Sequence, residues 1–276
     1  MKGRFLNIGC GPWFIDSHEW LNIDINPCSE KVLPLHLGDV ASERSGLLFD
    51  GIYSSHLIEH LSRSEAQQHL RLCFDYLREG GCLRILTPDF ESLVEAYIKH
   101  AALGDFGKAT VEKILLLEQC VRLKKGGWFR EGISNLVCSD SDIADYTYVR
   151  CGEHVIKGKS YNEKVRPIEK RTKFVLRKIR KLKKQIDSLM VFCSWKLLPK
   201  KYRDNLALVD AGELHKWIYS EYELAQMARN IGFTRVVRRS AGFSNMFVNA
   251  ELEFLEIDAA GNHRKGDSTM YLEFEK

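Results

Sequence analysis

The chain has 276 residues, 45% hydrophobic and 11% aromatic, enough to fill one large core and to exclude wholesale disorder. No apolar run reaches the ~18 residues of a membrane-spanning helix, and MKGRFLNIGCG enters a strand too early for a signal peptide, so a cytoplasmic protein is expected. The net charge of +4 hides a segregation, because residues 157–184 hold thirteen Lys/Arg against Glu163 and Glu169, a local +11 that leaves −7 for the remainder.

Residues 4–8 read as a short apolar strand running into Gly9-Cys10-Gly11-Pro12. WLNIDINP (20–27) is a second strand, VLPLHLGDV (32–40) a third and DGIYSS (50–55) a fourth. Apolar spacing near three and four predicts a helix from about Leu57 to Leu77, closed by Gly80-Gly81, and CLRILTP (82–88) is a fifth strand. Strands alternating with helical segments point to an α/β chain with a doubly wound, mostly parallel sheet.

After Pro88 the periodicity is helical up to about residue 205. SEYELAQMARNIGF (220–233) is then an N-capped helix ended by glycine. TRVVRRS (234–240), LEFLEID (252–258) and STMYLEFEK (268–276) read as strands around a turn-rich loop. The organisation expected is a cofactor-binding half at 1–95, a helical insertion at 96–210 and a closing helix with antiparallel strands at 211–276.

Gly9-x-Gly11 at the end of the first strand permits a tight turn and close approach of a cofactor to the backbone. The dinucleotide fingerprint needs a third glycine, and Phe14 stands there, which argues against NAD or FAD. Asp24, at the end of the second strand, is placed to accept ribose hydroxyls, and Asp39 could take an adenine amino group. Eight scattered cysteines lack C-x-x-C spacing and read as free thiols rather than a disulfide framework or zinc knuckle.

LNIGCGP, NIDINP, GDV, DGIYSSHLIEHL and LREGGCLRILTPD together resemble the successive motifs of seven-stranded Rossmann-type S-adenosylmethionine-dependent methyltransferases. The similarity is greatest to predicted bacterial methyltransferases associated with surface-polysaccharide and lipopolysaccharide biosynthesis. It covers residues 4–95, resumes at 215–233 and in the carboxy-terminal strands, and leaves out the basic segment. It implies S-adenosyl-L-methionine as cofactor. Gly9 and Gly11 would hold its methionine part, Asp24 the ribose and Asp39 the adenine, with Ser54, Ser55 and His56 lining the floor. The implied acceptor is a hydroxyl on a saccharide or glycolipid, and the alternative is a small molecule or lipid. Two departures stand out: Asn7 replaces the acid common in the first strand, and Trp13 stands for a glycine. These keep open a reading of another class, a non-catalytic module that binds a membrane or a protein partner.

His56-Leu-Ile-Glu59-His60 matches the H-x-x-E-H zinc signature, but its first histidine falls at a strand exit, so no metal is expected there. A base for a hydroxyl acceptor would come from His60, His56 or His215. The basic segment carries a narrow apolar stripe from Ile168 to Cys193, which suits packing on the core, an anionic membrane surface at residues 164–195, or a helix pair. It has few aromatics and no nucleic-acid motif, so no nucleic acid is expected.

Overall fold

A computed structural model of the chain describes residues 4–40, 48–122, 140–152 and 214–276, with isolated positions at 46, 127, 132, 133, 189, 190, 193, 194 and 196–199. The basic segment 157–184, and nearly all of the 164–195 stretch considered for a membrane, lies outside the described residues.

Six strands, β1 (Phe5–Ile8), β2 (Trp20–Ile23), β3 (Phe49–Ser55), β4 (Leu77–Pro88), β5 (Arg235–Arg239) and β6 (Thr269–Glu275), form one sheet. The spatial order is β2-β1-β3-β4-β6-β5. The first four strands are mutually parallel, and β6 runs antiparallel to both β4 and β5. The chain steps from β1 outward to β2 and then back across β1 to β3. The order therefore reverses between β1 and β3, which opens a crevice beyond their carboxyl ends.

Two expected strands are corrected. Residues 32–40 supply only a single parallel bridge, Leu33 to Ile23, and then a 3-10 turn at Leu37–Asp39. Leu33 turns both its amide and its carbonyl to β2, and the next ladder donor, the Leu35 amide, instead bonds back to the Leu33 carbonyl, so pairing stops there. Among the described residues the sheet has six strands. Residues 252–258 fold mostly into a helix, Asn249–Glu256, rather than a strand. Leu252, Leu255 and Glu256 are buried while Phe254 is 52% exposed, a helical pattern that a short alternating run imitates.

The other helices are α1 (Arg63–Tyr76), α2 (Phe90–Ala102), α3 (Phe106–Val121), α4 (Ser141–Cys151) and α5 (Glu221–Ile231), with α6 at Asn249–Glu256. Helix α1 starts later than periodicity alone predicts, because Ser62 and Glu65 form a reciprocal capping box. Strand alternation sorts side chains between two faces. Leu6, Ile52, Leu83, Ile85, Leu272 and Phe274 meet Leu70, Leu224 and Ala228 from α1 and α5. Phe5, Tyr53, Leu86 and Tyr271 meet Phe247, Leu252 and Leu255 around α6. Between β4 and α5 the described elements are helices, with a smaller core of Leu93, Val111, Ile114, Leu115 and Cys151.

On the α6 face sits a fully buried guanidinium. Arg84 Nε and Nη2 each donate to Glu256 at 2.8 Å, and Nη1 donates to Glu273 at 3.0 Å and to the Phe243 carbonyl at 3.1 Å. This explains why charged residues lie at inward positions of β4 and β6. Arg84→Met should lower the unfolding free energy by ~3–5 kcal/mol, since Glu256 and Glu273 would stay buried without their cation. Urea denaturation reads this directly, and a loss below ~1 kcal/mol would contradict it.

His69 on α1 adds a pH dependence. Burial alone pushes its imidazole down to about 4, from an ordinary 6.5. Between those values the unfolded chain binds the extra proton, so stability must rise with pH across that window. The contribution lost on acidification through it is on the order of 3 kcal/mol. In His69→Phe the slope of stability between pH 4 and 6.5 should flatten; an unaltered slope would assign the effect elsewhere.

Candidate active site

The crevice at the strand-order reversal is lined by Asn7, Gly9, Cys10, Gly11, Trp13, Tyr53, Ser55, His56, Leu255 and Lys265 and encloses about 160 Å³. Gly9 and Gly11 both adopt positive φ, 62° and 51°, which glycine alone takes without cost. A side-chain carbon on Gly11 would meet nothing within 4 Å, so its backbone is open to an approaching group. The expected strand-to-helix turn is absent: after Gly11 the chain runs through turns to β2 without forming a helix. No helix N-terminus therefore stands directly behind the glycines.

Asn7 occupies the first-strand position where an acid is common in the resembling family. Its amide donates to the Trp13 carbonyl at 3.1 Å and to Asn22 Oδ1 at 3.3 Å, while Asn22 donates to the Ile15 carbonyl. A carboxylate could not donate to Trp13, so asparagine here anchors the loop. Asp24 is also a loop anchor. Its two oxygens accept the amides of Gly11 at 2.9 Å and Asn26 at 2.7 Å. Each oxygen keeps a second lone pair, although Asp24 itself does not line the crevice. Asp39 lies exposed on the 3-10 turn, at the end of the abortive third strand. Ser54 and Ser55 end β3, and the hydroxyl oxygens of both are buried without a hydrogen-bond partner.

Two residues outside the expected set narrow the crevice. The Arg264 guanidinium lies 3.8 Å from the Trp13 ring centroid and donates to the Phe254 and Ile257 carbonyls. Gly266, at φ 79°, lets this loop dock on α4, since a side-chain carbon there would fall 2.3 Å from the Arg150 carbonyl oxygen. Sequence offered only a polar loop; its neighbours are set by tertiary packing. Cys10 lines the wall as a neutral thiol, pushed up to about 12 chiefly by burial.

The three histidines divide. His56 borders the crevice, whereas His60 and His215 pack against each other behind it, with ring centroids 4.8 Å apart. His56 Nδ1 lies 2.9 Å from Glu59 Oε1, and Nε2 lies 3.3 Å from Thr269 Oγ1. Glu59 is completely buried, and its Oε2 accepts the Thr87 hydroxyl at 3.2 Å. Burial alone would raise this carboxyl. The His56 hydrogen bond and the charges of His56, His215 and His60 more than reverse that, bringing it down to about 2. Burial holds His56 below the ordinary imidazole value and takes His215 to about 4. An ionised carboxylate only accepts, so His56 carries its proton on Nδ1 and turns a basic Nε2 toward Thr269. His60 Nδ1 is 3.0 Å from the Leu214 carbonyl oxygen, which fixes it as a donor as well. The sequence places Glu59 beside His60, yet the return of Leu214 and His215 to this turn depends on the whole insertion.

Among the described residues, His56 is the one non-glycine at positive φ, 50°. The strain is held by the His56 amide, which donates to the Leu86 carbonyl at 2.8 Å, and by the Glu59 contact. His56→Val and His56→Asn both lose the imidazole, but only asparagine tolerates a left-handed backbone. The valine variant should be less stable than the asparagine variant by ~1–2 kcal/mol in chemical denaturation. Equal stabilities would mean that the backbone there relaxes freely.

No family model matches the sequence, and no curated protein matches it. Solved structures match distantly. A SAM dependent methyltransferase from Archaeoglobus fulgidus is 13% identical at a TM-score of 0.40, over 99% of this chain and 86% of that one. PKMT2 from Rickettsia typhi, solved in complex with AdoHcy, is 10% identical at a TM-score of 0.32 over 98% of this chain. This chain spans 49% of that protein's length.

Proposed function

We propose that the chain is an S-adenosylmethionine-dependent methyltransferase acting on a hydroxyl group. The observation that carries the reading is the position of His56, backed by buried Glu59, on the wall of a two-glycine crevice where the strand order reverses. The cofactor's fit is tested by the donors present. Gly11 leaves its backbone flank open, Asp24 keeps lone pairs for ribose hydroxyls, and Ser55 borders the crevice. The lack of a phosphate-binding helix suits a cofactor without phosphates. An enclosed space of about 160 Å³ is below the ~300–1,000 Å³ of whole-ligand sites, so part of the molecule would extend over the open rim by Asp24.

When bound, the cofactor supplies an electrophilic methyl group for in-line displacement. The chain's own task is alignment and proton removal. His56 Nε2 is the base the geometry supports best, with Glu59 fixing its tautomer and stabilising the cation formed when the acceptor loses its proton. His60 and His215 serve the wall behind. Resemblance in sequence motifs is what suggests a saccharide or glycolipid acceptor, with activity in the cytoplasm and on intermediates at an anionic membrane face. No described helix is long and apolar enough to cross a membrane.

The narrow crevice favours one other reading, a non-catalytic module in which Trp13 and Arg264 close the pocket. Calorimetric titration with S-adenosylmethionine separates the two. Binding should weaken by ~1–3 kcal/mol in Asp24→Ala, the cost of leaving hydrogen-bonded groups unpaired. His56→Gln should slow S-adenosylhomocysteine release with hydroxyl acceptors ~10²–10⁴-fold while leaving cofactor affinity nearly unchanged. Absence of binding at millimolar cofactor would select the non-catalytic module.

A further inference from the structure

We infer that Glu59, His60 and His215 form a binding site for a divalent first-row transition ion of the zinc class. This goes beyond methyl transfer and does not depend on it. One ligand atom from each of the three side chains lies within 4.8 Å of the other two. Ligands held ~2.0–2.2 Å from one zinc ion stand roughly 3.5 Å apart, so the cluster needs to contract by only about an ångström.

Several features of the site favour a metal over a plain hydrogen-bond cluster. His60 donates through Nδ1 to the Leu214 carbonyl, which orients the ring and leaves Nε2 as a lone-pair donor. His215 is only 5% exposed, and its Nδ1 is buried with no hydrogen-bond partner. Burying a ring nitrogen in that way is costly unless something binds the ring. Glu59 is braced as ligating carboxylates are, by His56 on Oε1 and Thr87 on Oε2, and each oxygen keeps another lone pair.

Two imidazoles and one carboxylate select zinc, cobalt, nickel or iron(II) over magnesium or calcium, which want oxygen shells. His60 is half-buried, so a fourth position is left for water or a substrate oxygen. The site would also join residue 60 to residue 215. Backbone bonds already run there, from the Lys216 and Trp217 amides to the Glu59 carbonyl. A metal clip at this junction closes the long insertion at its base. The H-x-x-E-H spacing would pair His56 with His60, but His56 spends Nδ1 on Glu59, and the second imidazole comes instead from the far end of the insertion.

The test uses the full chain, stripped with a chelator and titrated with Co²⁺ and then Zn²⁺. One equivalent of cobalt should bind with d–d absorption and no sulfur-to-metal charge-transfer band, zinc should displace it, and the thermal midpoint should rise. His60→Ala and His215→Ala should each weaken binding about 100-fold or more, since removing even an orienting partner of a ligand costs up to about that much. A thiolate charge-transfer band would move the metal to the cysteines and overturn the assignment. So would unchanged affinity in either folded variant, or no uptake by the wild-type chain. If a variant fails to fold, the wild-type spectrum and stoichiometry alone decide.

Discussion

Glu59 is a carboxylate with no exposed surface, and an isolated ionised group so placed would cost several kilocalories per mole. Its neighbourhood accordingly supplies donors, His56 from the crevice wall and Thr87 from the end of β4, with the imidazoles of His60 and His215 close behind. Its carbonyl oxygen is used as well, accepting the amides of Lys216 and Trp217 as the chain returns from the insertion. One residue thus fixes the tautomer of the histidine that faces the crevice, the exit of β4 and the re-entry of the chain. The left-handed backbone at His56 is tolerable because this network over-determines it.

The opposite face of the sheet is organised around a charge of the other sign. Arg84 is enclosed by Glu256 and Glu273, with Arg239 2.8 Å from the second oxygen of Glu273. Glu256 also accepts the Gly242 amide at 2.7 Å, which ties the chain after β5 to helix α6. Leu255, one residue earlier, lines the crevice. The buried ion network therefore sets the height of α6 over the sheet, and with it the depth of the space above Gly11.

Local signals were enough for much of this. A glycine pair after an apolar strand and a capped, glycine-ended helix at 220–233 are short-range patterns; the glycines line the crevice and α5 spans Glu221–Ile231, whereas the strand-end acid Asp24 lies outside the crevice lining. Three kinds of feature were not legible. Pro34 inside an apolar run was outweighed by its neighbours, although the chain turns there and the Leu35 amide bonds back to Leu33 instead of extending the ladder. Alternation in LEFLEID fits period two and period 3.6 equally over so few residues, and the partner that decides it, Arg84, is 172 positions away from Glu256. The capping box at Ser62 and Glu65 was present in the letters, and marks the true start of α1 after the 3-10 turn that carries Glu59. Nothing local joins His215 to His60.

The insertion is pinned to the crevice end of the sheet at both of its termini. It leaves after β4 at Asp89, whose carboxylate caps α2 and pairs with Arg238, and it returns at Leu214 and His215 against the Glu59 turn. Helix α4 adds a third anchor, because Arg150 both pairs with Glu112 and offers its carbonyl to the Ser268 hydroxyl at 2.5 Å. Residue 268 belongs to the same loop that places Arg264 over Trp13. The residues that flank positions 153–213, a stretch with seventeen Lys and Arg side chains, are thus both held at the crevice end of the sheet.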